Sequence, residues 1–277
     1  MSSVPRLGAR LGEALRGSAA RRWRRAAEAA GDALLALALP RVCVACGGAV
    51  ERGGTSLVCG RCWAALRPLG HPQCARCGHP VVVGDLPPPA SREPRRCRWC
   101  DRLPPYVRAA RSVCWVPEGS GGPIVHALKY DGWTAASSGL AERMARLPWP
   151  DDVLEERSAV VAVPLAAERL RERGYNQSAL LASALALRWG VPLCDDVLTR
   201  ARRTAPQARL TPAERLRNVA GAFQAVPSGR PRLRGAHVVL VDDVVTTAAT
   251  LNACAAALVE GGARIVSYVT FGRARGT

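Results

Sequence analysis

A chain of 277 residues with 39 lysines plus arginines against 22 acids, a net charge of +17, is long enough to bury a full core with a smaller module beside it. At 48% hydrophobic and 22% charged residues it is not a disordered polyelectrolyte. Its best apolar stretch, residues 26–39, is broken by Glu28 and Asp32, so no membrane span is expected. The cations are almost all arginine, with Lys129 the only lysine, a bias that reflects GC-rich coding before it reflects a binding site. Position is therefore more informative than total: the excess is +4 over residues 1–40, +8 over 41–112 and +5 over 113–277.

Residues 1–40 place Arg21, Arg22, Arg24 and Arg25 ahead of the apolar stretch and so imitate an export leader. Two acids within the stretch and no small-residue cleavage site ahead of Pro40 argue against export and for a cytoplasmic protein. The expectation is a helical segment that packs on its own protein and stops at Pro40. An arm for membrane surfaces or nucleic acid is the alternative.

Eight of the eleven cysteines form four identical pairs, Cys43/Cys46, Cys59/Cys62, Cys74/Cys77 and Cys97/Cys100, each with two residues inside and with 12, 11 and 19 residues between pairs. Two intervening residues make a tight turn that aims both sulfurs at one ion, so two such knuckles build a closed tetrahedral thiolate site. The simplest assignment puts Cys43, Cys46, Cys59 and Cys62 on one structural zinc and Cys74, Cys77, Cys97 and Cys100 on another; interleaved pairing stays open. Disulfides need an exported chain, and iron–sulfur clusters prefer ligands in closer array. Residues 41–111 are thus expected to be a double zinc module whose folding free energy comes mostly from metal. Arg76, Arg92, Arg95, Arg96, Arg98 and Trp99 within it form a basic, aromatic set of the kind a single strand of nucleic acid favours, against the alternative of a solvated face. Cys114, Cys194 and Cys254 lie on apolar segments and read as core.

From residue 112 to 277 apolar strands alternate with alanine-rich helices. Residues 158–163, 236–241 and 264–271 read as buried parallel strands and 176–189 and 247–258 as helices, giving an α/β open parallel sheet. Ligands bind such sheets beyond the carboxyl ends of the strands. There stand Asp242 and Asp243, followed by Val244, Val245, Thr246, Thr247, Ala248, Ala249 and Thr250 at the start of a helix. Paired carboxylates accept hydrogen bonds from vicinal hydroxyls, and a helix N-terminus offers free N–H groups and the positive end of its dipole to a phosphate. The pattern describes a receptor for a ribose 5-phosphate, with helix capping by aspartate as the bland alternative.

The run from Val238 to Thr250 resembles the phosphoribosyl pyrophosphate motif of type I phosphoribosyltransferases. Companion segments are His126-Ala-Leu-Lys129-Tyr130-Asp-Gly132, Val163-Pro164-Leu165, Arg169-Leu-Arg-Glu-Arg173-Gly174-Tyr175-Asn176-Gln177, Arg203-Thr204-x-x-Gln207 and Arg215-Leu-Arg-Asn218-Val-Ala-Gly221-Ala-Phe223. With the cysteine knuckles they are similar to the ComF family of competence-related, phosphoribosyltransferase-like proteins, over residues 41–272. The resemblance implies that Asp242 and Asp243 contact ribose hydroxyls and that Val245, Thr246, Thr247, Ala248, Ala249 and Thr250 wrap the 5-phosphate. It further implies that Arg169 and Arg173 meet the diphosphate with Lys129 as a further binding residue, and that Mg²⁺ accompanies phosphoribosyl pyrophosphate. Ala248 departs from the usual glycine, which costs on the order of 1 kcal/mol if the position needs positive φ.

Residues 197–234 carry nine arginines and one acid, a density that favours a polyanion, and are expected to form a hood over the phosphate site with a helix starting after Thr211-Pro212. His126 reads as surface or packing. Three functions are consistent with these features: a phosphoribosyltransferase acting on an unknown acceptor, a handler of single-stranded DNA alongside DNA-uptake or recombination proteins, and a sensor of phosphoribosyl pyrophosphate. Two filled zinc sites lower the net charge to about +13 and move the densest positive feature to the hood.

Overall fold

The computed structural model describes residues 41–51, 56–81, 97–202 and 211–275. The expected helix over 26–39, the Arg203-Thr204-x-x-Gln207 motif and Arg92, Arg95, Arg96 and Arg209 lie outside the described residues. In chain order the elements are α1 (Gly60–Ala64), β1 (Val107–Val116), α2 (Gly121–Tyr130), α3 (Ala136–Ala145), α4 (Asp151–Glu156), β2 (Arg157–Ala162), α5 (Ala167–Arg173) and α6 (Gln177–Trp189). They continue with β3 (Leu198–Arg200), α7 (Pro212–Val219), β4 (Phe223–Ala225), α8 (Arg230–Leu233), β5 (His237–Val245), α9 (Ala249–Glu260) and β6 (Ile265–Ala274).

Valine-rich β5 and β2 have near-continuous apolar sequences, the signature of strands buried on both faces. The main sheet runs β1-β6-β5-β2 with every neighbouring pair parallel. Alternate residues of β5 feed two different cores. Val238 and Leu240 join Tyr268, Leu251 and Leu258 of α9, and the sulfurs of Cys74, Cys77, Cys97 and Cys100. Val239 and Val241 join Phe271, Leu128, Leu140, Leu181 and Leu185, and the sulfurs of Cys43, Cys59 and Cys62. Since side chains alternate across a strand, one cysteine knuckle pair covers each face of the sheet. Cys114, Cys194 and Cys254 are buried core residues, as expected.

The sheet differs from the sequence reading in two ways. It begins at Val107, ahead of position 112, because β1 hides among arginines: buried Arg111 hands its donors to backbone carbonyls of Ala75, Arg76, Ala110 and Pro148, so a charged position behaves as core. And β5 does not stop at Val241. Its partner β6 extends to Ala274, so pairing continues through Asp242 with Thr270 and Val245 with Arg273, and both aspartates sit within the strand.

The hood is a two-stranded antiparallel sheet, β3 with β4, joined by α7 and packed against α9. Helix α7 starts as expected: Thr211 and Glu214 form a reciprocal capping box with Pro212 in the first turn. No helix among the described residues is long and apolar enough to cross a membrane.

Candidate phosphate cleft and two cysteine tetrads

The cysteines gather into two tetrads, Cys43/Cys46/Cys59/Cys62 and Cys74/Cys77/Cys97/Cys100, with the four sulfurs of each within 4.8 Å of one another. Individual Sγ separations run from 3.3 Å for Cys74–Cys100 and Cys77–Cys97 to 3.8 Å for Cys46–Cys59 and 3.9 Å for Cys97–Cys100, near the ~3.8 Å expected when four thiolates stand 2.3 Å from one tetrahedral zinc. The Cys59 N–H donates to Cys43 Sγ at 3.3 Å, as a thiolate ligand requires. The donor sets fit two structural zinc sites, paired in the simplest of the arrangements open to the sequence.

Two members of the basic, aromatic set of the second module, Arg76 and Trp99, turn toward the protein itself. Arg76 spends its donors on the carbonyls of Val107, Leu103 and Pro104. Trp99 is buried, stacked on His79 and covered by Arg273. A ring closed on both sides by its own protein cannot receive a base.

Beyond the carboxyl end of β5 lies a cleft of about 620 Å³. It gathers Lys129 from α2, Arg169 and Arg173 from α5, and Asp242, Asp243, Val245, Thr246, Ala248, Ala249 and Thr250. Of the expected residues Thr247 alone is absent from the lining; its hydroxyl accepts the Ala249 N–H at 3.4 Å, inside the turn. The sequence reading missed several residues that also line it, including Tyr130, Gln177, Ser178 and Arg200.

Both carboxylates are fixed from below. Asp242 Oδ1 accepts from Ser178 Oγ at 2.7 Å and from the Asp243 N–H at 2.9 Å. Asp243 is 3% exposed and its Oδ2 is 2.7 Å from Lys129 Nζ. Burial, reinforced by the neighbouring Asp243 charge, pushes the Asp242 carboxyl up to about 7, while Ser178 and Lys129 pull the other way. For Lys129, burial favours the neutral amine, but Asp243 outweighs it and holds the ammonium above the usual lysine value. Between them the four side chains carry two negative charges and one positive when fully ionised, an arrangement that favours an arriving hydroxyl donor or cation.

Helix α5 has no buried residue and holds its arginines at the rim. Arg169 pairs with Glu172 at 3.1 Å; Arg173 donates to Gln177 and lies 5.1 Å from the Tyr130 ring. Opposite, Ala248 caps α9 at φ 61°, the one non-glycine residue at positive φ among the described residues. The position does need the left-handed conformation that glycine adopts more easily. His126 is on the surface, 3.3 Å from Asp131. In the hood, Arg202 donates to the carbonyls of Asn218 and Ala220, and Arg232 pairs with Asp196 at 2.6 Å, whereas Arg217, Arg230 and Arg234 are exposed.

Comparison with known proteins agrees with this architecture. Residues 34–100 match the family profile "Double zinc ribbon domain", and residues 175–277 match "Phosphoribosyl transferase domain". The chain is 33% identical over 218 residues to the DNA utilization protein YhgH of Salmonella typhimurium, covering 76% of this chain and 87% of that one. It is 32% identical over 245 residues to the protein of that name in Escherichia coli, covering 83% and 96%. Over 94 residues it is 36% identical to Competence protein F of Haemophilus influenzae, covering 34% and 41%. Among solved structures, the glutamine phosphoribosylpyrophosphate amidotransferase of B. subtilis is similar at a TM-score of 0.34 and 22% identity, over 50% of this chain and 26% of that chain. With two cysteine tetrads ahead of a parallel sheet of the type I phosphoribosyltransferase class, and relatives that align over most of its length, the chain belongs to the ComF family.

Proposed function

We propose that the cleft binds phosphoribosyl pyrophosphate with Mg²⁺ and that the protein acts in the use of DNA taken up by the cell. The observation that carries the ligand is the placement in one cleft of two pinned carboxylates and the N-terminus of α9. Asp242 and Asp243 accept hydrogen bonds from the ribose hydroxyls, and free N–H groups at the start of α9, with Thr246 and Thr250, take the 5-phosphate. Arg169 and Arg173 face the diphosphate. Mg²⁺ bound with the ligand would neutralise part of the diphosphate charge.

If transfer takes place, the same arginines stabilise the departing diphosphate and no protein nucleophile is required. The acceptor is a separate question, and diphosphate release in the presence of candidate acceptors distinguishes an enzyme from a binder. The role in DNA rests on the relatives named for DNA utilization and competence. Arg217, Arg230 and Arg234, exposed on the hood, offer a single strand its contact surface.

Calorimetry with phosphoribosyl pyrophosphate and Mg²⁺ tests the ligand. Wild type binds. The chain with Asp242→Asn and Asp243→Asn loses more than ~100-fold in affinity, because two hydrogen bonds to charged groups, at about 1.5–3 kcal/mol each, are weakened together. No heat with wild type, or equal affinity in the double variant, would sink the proposal.

A further inference from the structure

The two buried arginines among the described residues, Arg111 and Arg273, both lie against the second cysteine tetrad. Arg273 is 0% exposed, and no carboxylate among the described residues pairs with it. Its Nη2 donates to the Cys77 carbonyl at 2.7 Å, its Nε reaches Ser112 Oγ at 3.4 Å, and Nη1 has no hydrogen-bond partner. Its guanidinium stands 4.3 Å from the Trp99 ring centroid. Arg111 is satisfied wholly by carbonyls, those of Ala75 at 2.9 Å and Pro148 at 2.7 Å among them. Neutral carbonyls and a ring do not repay the desolvation of two full charges; a buried cation persists when a counter-charge stands near it.

Among the described residues the anion common to both is the sulfur cluster. Arg273 reaches the Cys77 carbonyl, and Arg111 reaches the carbonyls of Ala75 at 2.9 Å and Arg76 at 3.2 Å, the two residues inside the Cys74/Cys77 knuckle, so both guanidinia stand against the same turn of that cluster. Four thiolates around Zn²⁺ carry a net charge of −2, which two guanidinia balance. Among the described residues no buried arginine lies against the first tetrad. Its Cys46 is exposed, and the nearby Arg143 stacks on the half-buried Trp63 ring without being buried itself.

The second module is also tied to the phosphate-binding loop at both of its ends. Arg273 is the register partner of Val245, where the loop begins, and Asn252 in the first turns of α9 donates to the Arg102 carbonyl at 2.6 Å, just past the Cys100 knuckle. Contact with the sheet is close: the Arg76 carbonyl accepts from the Ala110 N–H at 2.8 Å, and a Cβ on Gly78, at φ +66°, would come within 2.7 Å of the Ala110 carbonyl oxygen.

We propose that the zinc centre of Cys74, Cys77, Cys97 and Cys100 is the counter-ion of Arg111 and Arg273 and thereby holds the 244–252 phosphate loop in place, whereas the first zinc centre has no part in that loop. This makes the second tetrad a position at which zinc loss switches off the cleft. It is independent of which phosphate ligand the cleft takes.

Zinc release to a colorimetric chelator, followed together with hydrogen exchange across residues 244–252 in the full chain, tests it. With Cys43→Ser and Cys46→Ser, exchange in this segment stays at the wild-type level until the remaining zinc is withdrawn, and then rises. In Arg273→Met the second zinc binds ~10- to 100-fold more weakly, the range for loss of a group that supports metal ligands, while Arg273→Lys, which keeps the charge, loses less than ~10-fold. Protection of 244–252 that survives withdrawal of the second zinc overturns the proposal, as does protection lost with the first site alone or equal zinc affinity in wild type and Arg273→Met. Should Arg273→Met not fold, the exchange measurement on the other chains decides.

Discussion

Ala248 concentrates a conflict between sequence and geometry in one methyl group. At φ 61° a residue with a Cβ costs about 1–2 kcal/mol more than glycine, while glycine costs the unfolded chain about 0.5–1 kcal/mol in extra freedom. Ala248→Gly is therefore expected to stabilise the fold modestly, on the order of 0.5 kcal/mol in urea unfolding, and Ala248→Val to destabilise it by more than ~1 kcal/mol. Equal midpoints for the three chains would show that the turn carries no strain. Asp242 offers a second residue-scale test. Its folded carboxyl titrates near 7, well above the unfolded value of about 3.9, so its contribution to stability is complete below about pH 4 and is lost as pH rises through 7. Among the described residues, Asp243, Lys129, Ser178, Arg200 and Cys254 are the ionisable and polar groups around it. Asp242→Asn keeps an oxygen for Ser178 and the Asp243 N–H and removes the buried charge. It should raise the melting temperature at pH 8 by a few degrees relative to wild type, leave it little changed at pH 4, and weaken ligand binding. A melting temperature lowered equally at both pH values would contradict this. Asp242, Asp243 and the loop after them were legible in the sequence because they are contiguous. Ser178 was not, because its partner is 64 residues away and nothing in a lone serine announces a carboxylate across a fold.

At the scale of elements, the N-terminus of α6 connects the sheet to the cleft. Asn176 caps it by accepting the Ser178 N–H at 3.0 Å and donates to the Val163 carbonyl at 3.0 Å, so one side chain fixes both the helix start and its distance from the end of β2. Asn176→Ala is expected to cost about 1 kcal/mol, in the ~0.5–2 kcal/mol range of lost caps, and to loosen Ser178 from Asp242. Thermal unfolding measures the first effect, and a ligand affinity reduced beyond that of a core variant of equal melting temperature away from the cleft measures the second. Strands β2 and β5 were legible because burial on both faces forces a continuous apolar sequence, and α7 because its cap, proline and glutamate are local. Strand β1 escaped because Arg111 and Ser112 are core residues satisfied by distant carbonyls and by Thr270, contacts to which a local pattern is blind. The same blindness made Trp99 look like a surface ring.

For the molecule as a whole, the question is where a net charge of +17 acts. The zinc centres neutralise part of it, Arg111 and Arg273 are buried at the second of them, and Arg202 and Arg232 are committed to carbonyls and to Asp196. Among the described hood residues this leaves Arg217, Arg230 and Arg234 exposed, Arg217 on α7, which packs against α9. A single strand laid across the hood releases counterions in proportion to the phosphates it contacts, so its affinity for an oligothymidylate should fall steeply with salt, with a log–log slope of about −0.7 per neutralised phosphate. Replacing the three arginines by glutamine should flatten that slope by ~2. Affinity for phosphoribosyl pyrophosphate, set by Asp242, Asp243 and the start of α9, should stay unchanged in the same variant, because none of the three lines the cleft. An anisotropy titration at several salt concentrations decides the matter. A slope that persists in the triple variant moves the strand to another face of the molecule, and no complex even at low salt removes nucleic acid as a direct partner, leaving the hood as a cover for the phosphate cleft alone.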